Sequence, residues 1–128
     1  MGAVEVMREF IARINAGDVD GLGRLMTPDH QLIVFDEAPL VGRDPNIEAW
    51  RGYASSWPEY LIYPHEIVER GGDVAVIGHT TGSHLGLPDE EESMLTLIWV
   101  AEIVDGLVQT WRLEPDDAEH RAAHGLSA

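Results

Sequence analysis

Residues 93–114, SMLTLIWVAEIVDGLVQTWRLE, place two apolar-rich segments of period two on either side of Asp105-Gly106. An Asp-Gly pair between β-rich flanks signals a tight hairpin, because the favoured two-residue turn needs positive φ at both positions. The stretch predicts strands over 93–104 and 107–114. Working back, residues 73–85 read as a strand ending at Gly86-Leu87-Pro88, and residues 59–70 as one ending at Gly71-Gly72. Upstream of Pro58 the period becomes helical. Val4, Met7, Ile11 and Ile14 predict a helix over 3–16, ended by Gly17. Asp18 caps a second short helix carrying Leu22, Leu25 and Met26, stopped by Thr27-Pro28. The run at 31–35, QLIVF, is a buried-type strand. Asp44-Pro45 then reads as an N-cap with proline in the first turn of a third helix, with Ile47, Trp50, Ala54 and Trp57 on one face. The tail from Asp116 to Gly125 is either a further short helix or a frayed end.

Helices followed by a meander of long strands indicate an α+β fold. The expected architecture is a curved antiparallel sheet wrapped by three N-terminal helices into a cone with an internal pocket, formed by residues 1–128 as a single domain.

Composition narrows the partners. The 128 residues include 8 basic side chains, all arginine, against 23 acidic ones, a formal net charge of −15. Such a surface repels phosphate backbones and argues against nucleic acid. No apolar run approaches the roughly 18–20 residues of a membrane span. The N-terminal stretch lacks the h-region of a secreted precursor and there is no cysteine, so the expected location is cytoplasmic.

The segments INAGDVDGLGRLMTPD at 14–29, GRD at 42–44, GGDVAVIGHTTGSHLG at 71–86 and IVDGLVQTWRLEPD at 103–116 together cover nearly the whole chain. In order and spacing they resemble the nuclear transport factor 2-like superfamily of cystatin-like fold, in its branch of SnoaL-like polyketide cyclases and ketosteroid isomerase-like proteins. The resemblance implies a cone-shaped pocket for a small hydrophobic ligand and a homodimer through the outer face of the sheet. It also implies that any chemistry is cofactor-free isomerisation, cyclisation or dehydration. The fold hosts non-catalytic binding modules too, so the site must decide.

Carried onto this chain, the acid position of ketosteroid isomerases falls at Val34. The positions of limonene epoxide hydrolase-like members fall at Gly78, Thr80 and Leu113, and that of SnoaL-like cyclases at Trp99. None of these side chains is the acid those mechanisms use. A strand end T-G-x-H common among SnoaL-like proteins is reproduced by Thr81-Gly82-Ser83-His84. By alternation His84 shares a face with Val74, Val76 and Thr80, while His79 points the other way. His84 is therefore the candidate general acid/base, the other reading being a strand-end histidine bonded to a loop carbonyl. Asp36, two residues beyond Val34, is its candidate partner at the pocket mouth or else a solvated turn residue.

The expected ligand-binding wall comprises Val34, Trp50, Tyr53, Trp57, His65, Thr80, Trp99, Trp111 and Leu113, with Trp111 taken as lying across the hairpin from Val100. Core packing accounts equally well for the aromatic members. Glu102 reads as a solvent or interface carboxylate facing Gln109, and Asp89-Glu90-Glu91-Glu92 as a solvated hairpin tip. His79-x4-His84 puts two imidazoles on opposite faces of a regular strand, and no HExxH or cysteine cluster occurs, so no metal or cofactor site is expected.

Overall fold

The structure, a computed structural model, describes residues 2–127. Helix α1, Ala3–Ala16, turns Val6, Met7, Phe10, Ile11 and Ile14 inward, and Gly17 ends it in the left-handed conformation at φ 68°. Asp18 caps α2, Val19–Arg24, by accepting the Gly21 N–H at 2.9 Å. Strand β1, Met26–Val34, starts earlier than expected, so Met26 belongs to the sheet rather than to the second helix. After β2, Leu40–Val41, helix α3 runs Arg43–Ser56. Its N-cap is Gly42, not Asp44, with φ 108°. The buried Asn46 side chain donates to the carbonyls of His30, Leu40 and Gly42, tying α3 to β1 and β2.

Four strands follow, with one helical turn between the second and third: β3, Leu61–Arg70; β4, Asp73–Thr81; α4, Asp89–Glu92; β5, Leu97–Val104; and β6, Leu107–Pro115. The chain closes with α5, Ala118–His124, capped by Asp117 and ended by left-handed Gly125. The six strands form one curved, unclosed sheet in the order β2-β1-β6-β5-β4-β3. The last four strands make the expected antiparallel meander. β1 runs parallel to β6, with Leu32 beside Trp111 and Val34 beside Leu113.

The inner face is filled by α1 and by Val74, Val76, Trp99, Ala101, Val108 and Trp111. On the outer face Leu126, just after α5, is buried against Ala75, Ile77, Ile98 and Val100. Pairing of two copies through that face would have to use what this C-terminal segment leaves uncovered. No helix among the described residues is long and apolar enough to cross a membrane.

Two irregularities shift side chains from their expected places. A bulge between Glu102 and Ile103 slips the hairpin by one residue, so Trp111 faces Ala101 instead of Val100. Glu102 lies opposite Thr110 rather than Gln109, and its carboxylate is 3.7 Å from the Arg112 guanidinium. β4 stops at Thr81 because Gly82 turns left-handed at φ 69°, where a Cβ would sit 2.4 Å from the Glu59 carbonyl oxygen. His84 therefore lies on a turn beyond the strand and not on the strand itself.

Gly82→Ala is expected to cost about 1–3 kcal/mol through the left-handed backbone alone, with the collision at Glu59 added. Urea denaturation measures it, and an unchanged midpoint would contradict the geometry. The fully buried His30, Nδ1 2.6 Å from the Val108 carbonyl oxygen, carries a pKa lowered chiefly by burial. The unfolded chain thus takes up this proton at a higher pH than the folded one, so stability is complete above about pH 6.5 and falls as pH drops below it. His30→Phe is expected to flatten this part of a pH series of denaturation midpoints.

Candidate functional site

Where the core stops, a cavity of about 210 Å³ remains between α3 and the β1–β6 pair. Alternation puts Leu32 and Val34 of β1 on one face, and the parallel register aligns them with Trp111 and Leu113 of β6 as a flat apolar wall. Helical spacing presents Ala49, Trp50 and Tyr53 of α3 opposite, with Tyr60 and His84 completing the lining. The space is on the scale of a molecule of one or two rings, given that an engineered apolar void of about 150 Å³ admits benzene.

Few polar groups reach this cavity. Tyr53 Oη lies 2.9 Å from His84 Nδ1 and accepts the His84 backbone N–H at 3.2 Å. The phenol either donates to Nδ1, with the imidazole hydrogen on Nε2, or accepts from Nδ1–H, which leaves the lone pair on Nε2. The Tyr53 and Trp57 rings both meet the imidazole edge-on, with centroids 5.7 and 5.9 Å away. Burial raises the pKa of Tyr53 and pushes that of Tyr60 well above the usual phenol range, so both phenols stay protonated as donors. The Trp50 indole N–H is buried without a partner in the protein. His84 itself is exposed on its outer side, which makes it the gatepost of the cavity rather than its floor.

The turn carrying His84 is held from behind by Glu92. Of the four acids 89–92, three are exposed, but Glu92 is only 1% exposed. Its carboxylate accepts the Thr80 hydroxyl and, at 3.4 Å, the Ser83 N–H. The reading of Asp89–Glu92 as a wholly solvated tip is thus corrected: the acids form a single helical turn whose last member folds inward.

Six of the expected site residues share the cavity: Val34, Trp50, Tyr53, His84, Trp111 and Leu113. Trp57 borders a neighbouring depression with Pro58 and packs on Tyr53 at 4.9 Å between centroids. Thr80 is buried with its hydroxyl engaged by Glu92, and Trp99 is fully buried in the core. His65 lies on the outer face, at the bulge where pairing passes from Pro64–Gly78 to Glu66–Ile77. Asp36 is not beside His84. It is exposed and borders an open depression with Phe35, Arg112 and His120. Phe35 adopts φ 53°, which breaks the alternation carried from Val34 and turns Asp36 away. Leu32, Ala49 and Glu92 were not anticipated as site residues. Leu32 was readable from its period-two relation to Val34. Among the described residues no three His, Cys, Asp or Glu side chains are placed to hold a metal ion.

A family model, the SnoaL-like domain, matches residues 7–111. The chain belongs to this SnoaL-like family. Among solved structures, it is similar to an uncharacterised cystatin-fold protein from Novosphingobium aromaticivorans, with 20% identity, TM-score 0.76, and 88% of this chain and 97% of that chain covered. A proposed polyketide cyclase from Sinorhizobium meliloti shares 22% identity and TM-score 0.70, over 86% of this chain and 94% of that chain. TerC, co-crystallised with polyporic acid, shares 18% identity and TM-score 0.71, over 97% and 96% of the respective chains. Comparison with the curated proteins returned no match. At these identities the structural likenesses establish the SnoaL-like fold alone.

Removing the carboxylate in Glu92→Ala leaves the Thr80 hydroxyl and the Ser83 N–H unpaired, at an expected cost of about 1–3 kcal/mol. Amide hydrogen exchange at Ser83 and His84 should accelerate together with that loss. Unchanged protection at both amides would show that Glu92 does not hold the turn.

Proposed function

We propose that this SnoaL-like protein binds a small, largely apolar molecule bearing an acceptor oxygen, and that His84 moves a proton on it in a cofactor-free isomerisation, cyclisation or dehydration. The observation that carries the reading is the Tyr53–His84 pair at the mouth of an otherwise apolar cavity. Low polarity strengthens any hydrogen bond made there. The Trp111 wall suits a flat ring, and the Tyr60 phenol is a donor for a carbonyl or enolate oxygen. As a base, His84 holds its hydrogen on Nδ1, donated to Tyr53 Oη, and takes a proton on Nε2 from the carbon next to that oxygen; as an acid, protonated on both nitrogens, it gives the Nε2 proton to the oxygen. The similar structure TerC was co-crystallised with polyporic acid, a small organic molecule, which supports this reading.

A second reading, a binding module without turnover, is favoured by one specific feature. No carboxylate lines the cavity, and the wall positions Val34 and Leu113 are hydrocarbon.

The probe that separates the two is 2-tetralone, a two-ring ketone with acidic α-hydrogens. Tryptophan fluorescence reports its binding, and NMR in deuterium oxide reports α-deuteration. The catalytic reading expects exchange faster than in buffer alone, with about 10²–10⁴-fold of the acceleration lost in His84→Ala and a smaller loss in Tyr53→Phe. Quenching without accelerated exchange supports the binding module, and acceleration that survives in His84→Ala removes His84 from the mechanism.

A further inference from the structure

The outer face of the sheet carries a second histidine constellation, unconnected with the cavity. We propose that His65 and His79 form a binding site for a divalent transition-metal cation of the zinc, copper or nickel type.

The site is built by the backbone. Tyr63 and His79 are paired across β3 and β4 and both project outward, opposite in sense to the inward-facing Ile62–Thr80 pair beside them. The bulge leaves His65 without a cross-strand partner and turns it toward His79. Gly78 makes the bulge possible, since a Cβ there would lie 2.2 Å from the Tyr63 carbonyl oxygen. The Tyr63 ring stacks on the His79 imidazole at 4.6 Å and 12°, which fixes its plane.

The result brings His65 Nε2 to 2.7 Å from His79 Nδ1, one nitrogen carrying the hydrogen for the other. Two imidazole nitrogens each about 2.0–2.1 Å from one zinc ion stand roughly 2.9–3.3 Å apart for coordination angles between a right angle and the tetrahedral angle. Opening the pair by a few tenths of an ångström and pivoting both imidazoles, so that their lone pairs converge beside the N···N line, replaces a shared hydrogen with a shared cation. Imidazole pairs suit zinc, copper and nickel, copper most strongly, and water fills the remaining positions. His79 is held below the ordinary histidine pKa by partial burial and by His65, which keeps its nitrogen lone pair available near neutrality. The formal charge of −15 raises the local concentration of cations. The other histidines are differently engaged: His120 and His124 each bond a carboxylate, His84 bonds Tyr53, and His30 is buried.

The test is calorimetric titration of the full, tag-free chain with Cu²⁺, with electron paramagnetic resonance of the loaded protein and the Zn²⁺-induced rise in melting temperature as independent readouts. One equivalent bound through two imidazoles is expected, with loss of that binding and of the melting shift in both His65→Ala and His79→Ala. Should His79→Ala fold poorly, the exposed His65→Ala decides the question by itself. Binding that survives in both variants, a spectrum of a single imidazole, or loss only in His120→Ala or His124→Ala would overturn the assignment. The 2-tetralone measurements are unaffected by either outcome, since no residue is shared.

Discussion

Phe10 packs on Trp111 with ring centroids 4.7 Å apart and planes tilted by 39°, and this contact stands between the packed core and the cavity. On one side α1 packs the narrow end of the cone, where Phe10, Met7 and Trp99 are fully buried. On the other, Trp111 turns its remaining surface to the cavity under α3. A close-packed interior leaves few voids larger than a water molecule, so a hollow of this size departs from ordinary core packing. Leucine and valine beside Trp111 do not reach Ala49, Trp50 and Tyr53 of α3 across the space between them.

Polar groups are distributed by the same division. In the core they are few and mostly tied to backbone: Asn46 to three carbonyls, and Asn15 to Ile62 through both its amide nitrogen and oxygen. At the cavity rim they are instead tied to one another, Tyr53 to His84 by two hydrogen bonds and Glu92 to Thr80 and Ser83. A buried carboxylate with no cation beside it is costly to desolvate. Its placement under the turn makes sense as a brace for the segment that carries the imidazole, since it joins α4 to Thr80 of β4 and to the Ser83 N–H of the turn.

Periodicity made the skeleton legible. α1 and the meander follow from period and hairpin chemistry, whereas Val34, Trp111 and Leu113 are placed in the pocket by the resemblance to SnoaL-like and related proteins, facing Trp50 and Tyr53 of α3. What periodicity could not show are single-residue departures from it. A left-handed Phe35 sends Asp36 outward, a bulge at His65 removes it from the wall, and an extra residue in β6 moves Trp111 from Val100 to Ala101. Glu92 is hidden for a different reason. Within DEEE nothing local distinguishes the fourth acid from its neighbours, and only the helical turn directs it inward while the first three face solvent.

The two ends of β4's final run show why such departures matter for chemistry. His79 lies within the ladder, so the pleat alone commits it to the outer face beside His65. His84 lies five residues on, and a continued strand would still place it on the inner face by parity, but farther along the sheet, beyond the reach of α3. The left-handed Gly82 instead stops the strand, and Glu92 and Tyr53 gather the turn back over the cavity. Alternation thus reached the correct side for His84 through a strand that does not extend that far. Its position depends on one glycine without a Cβ and on two side chains from other elements, and a change at any of the three would move the imidazole without touching it.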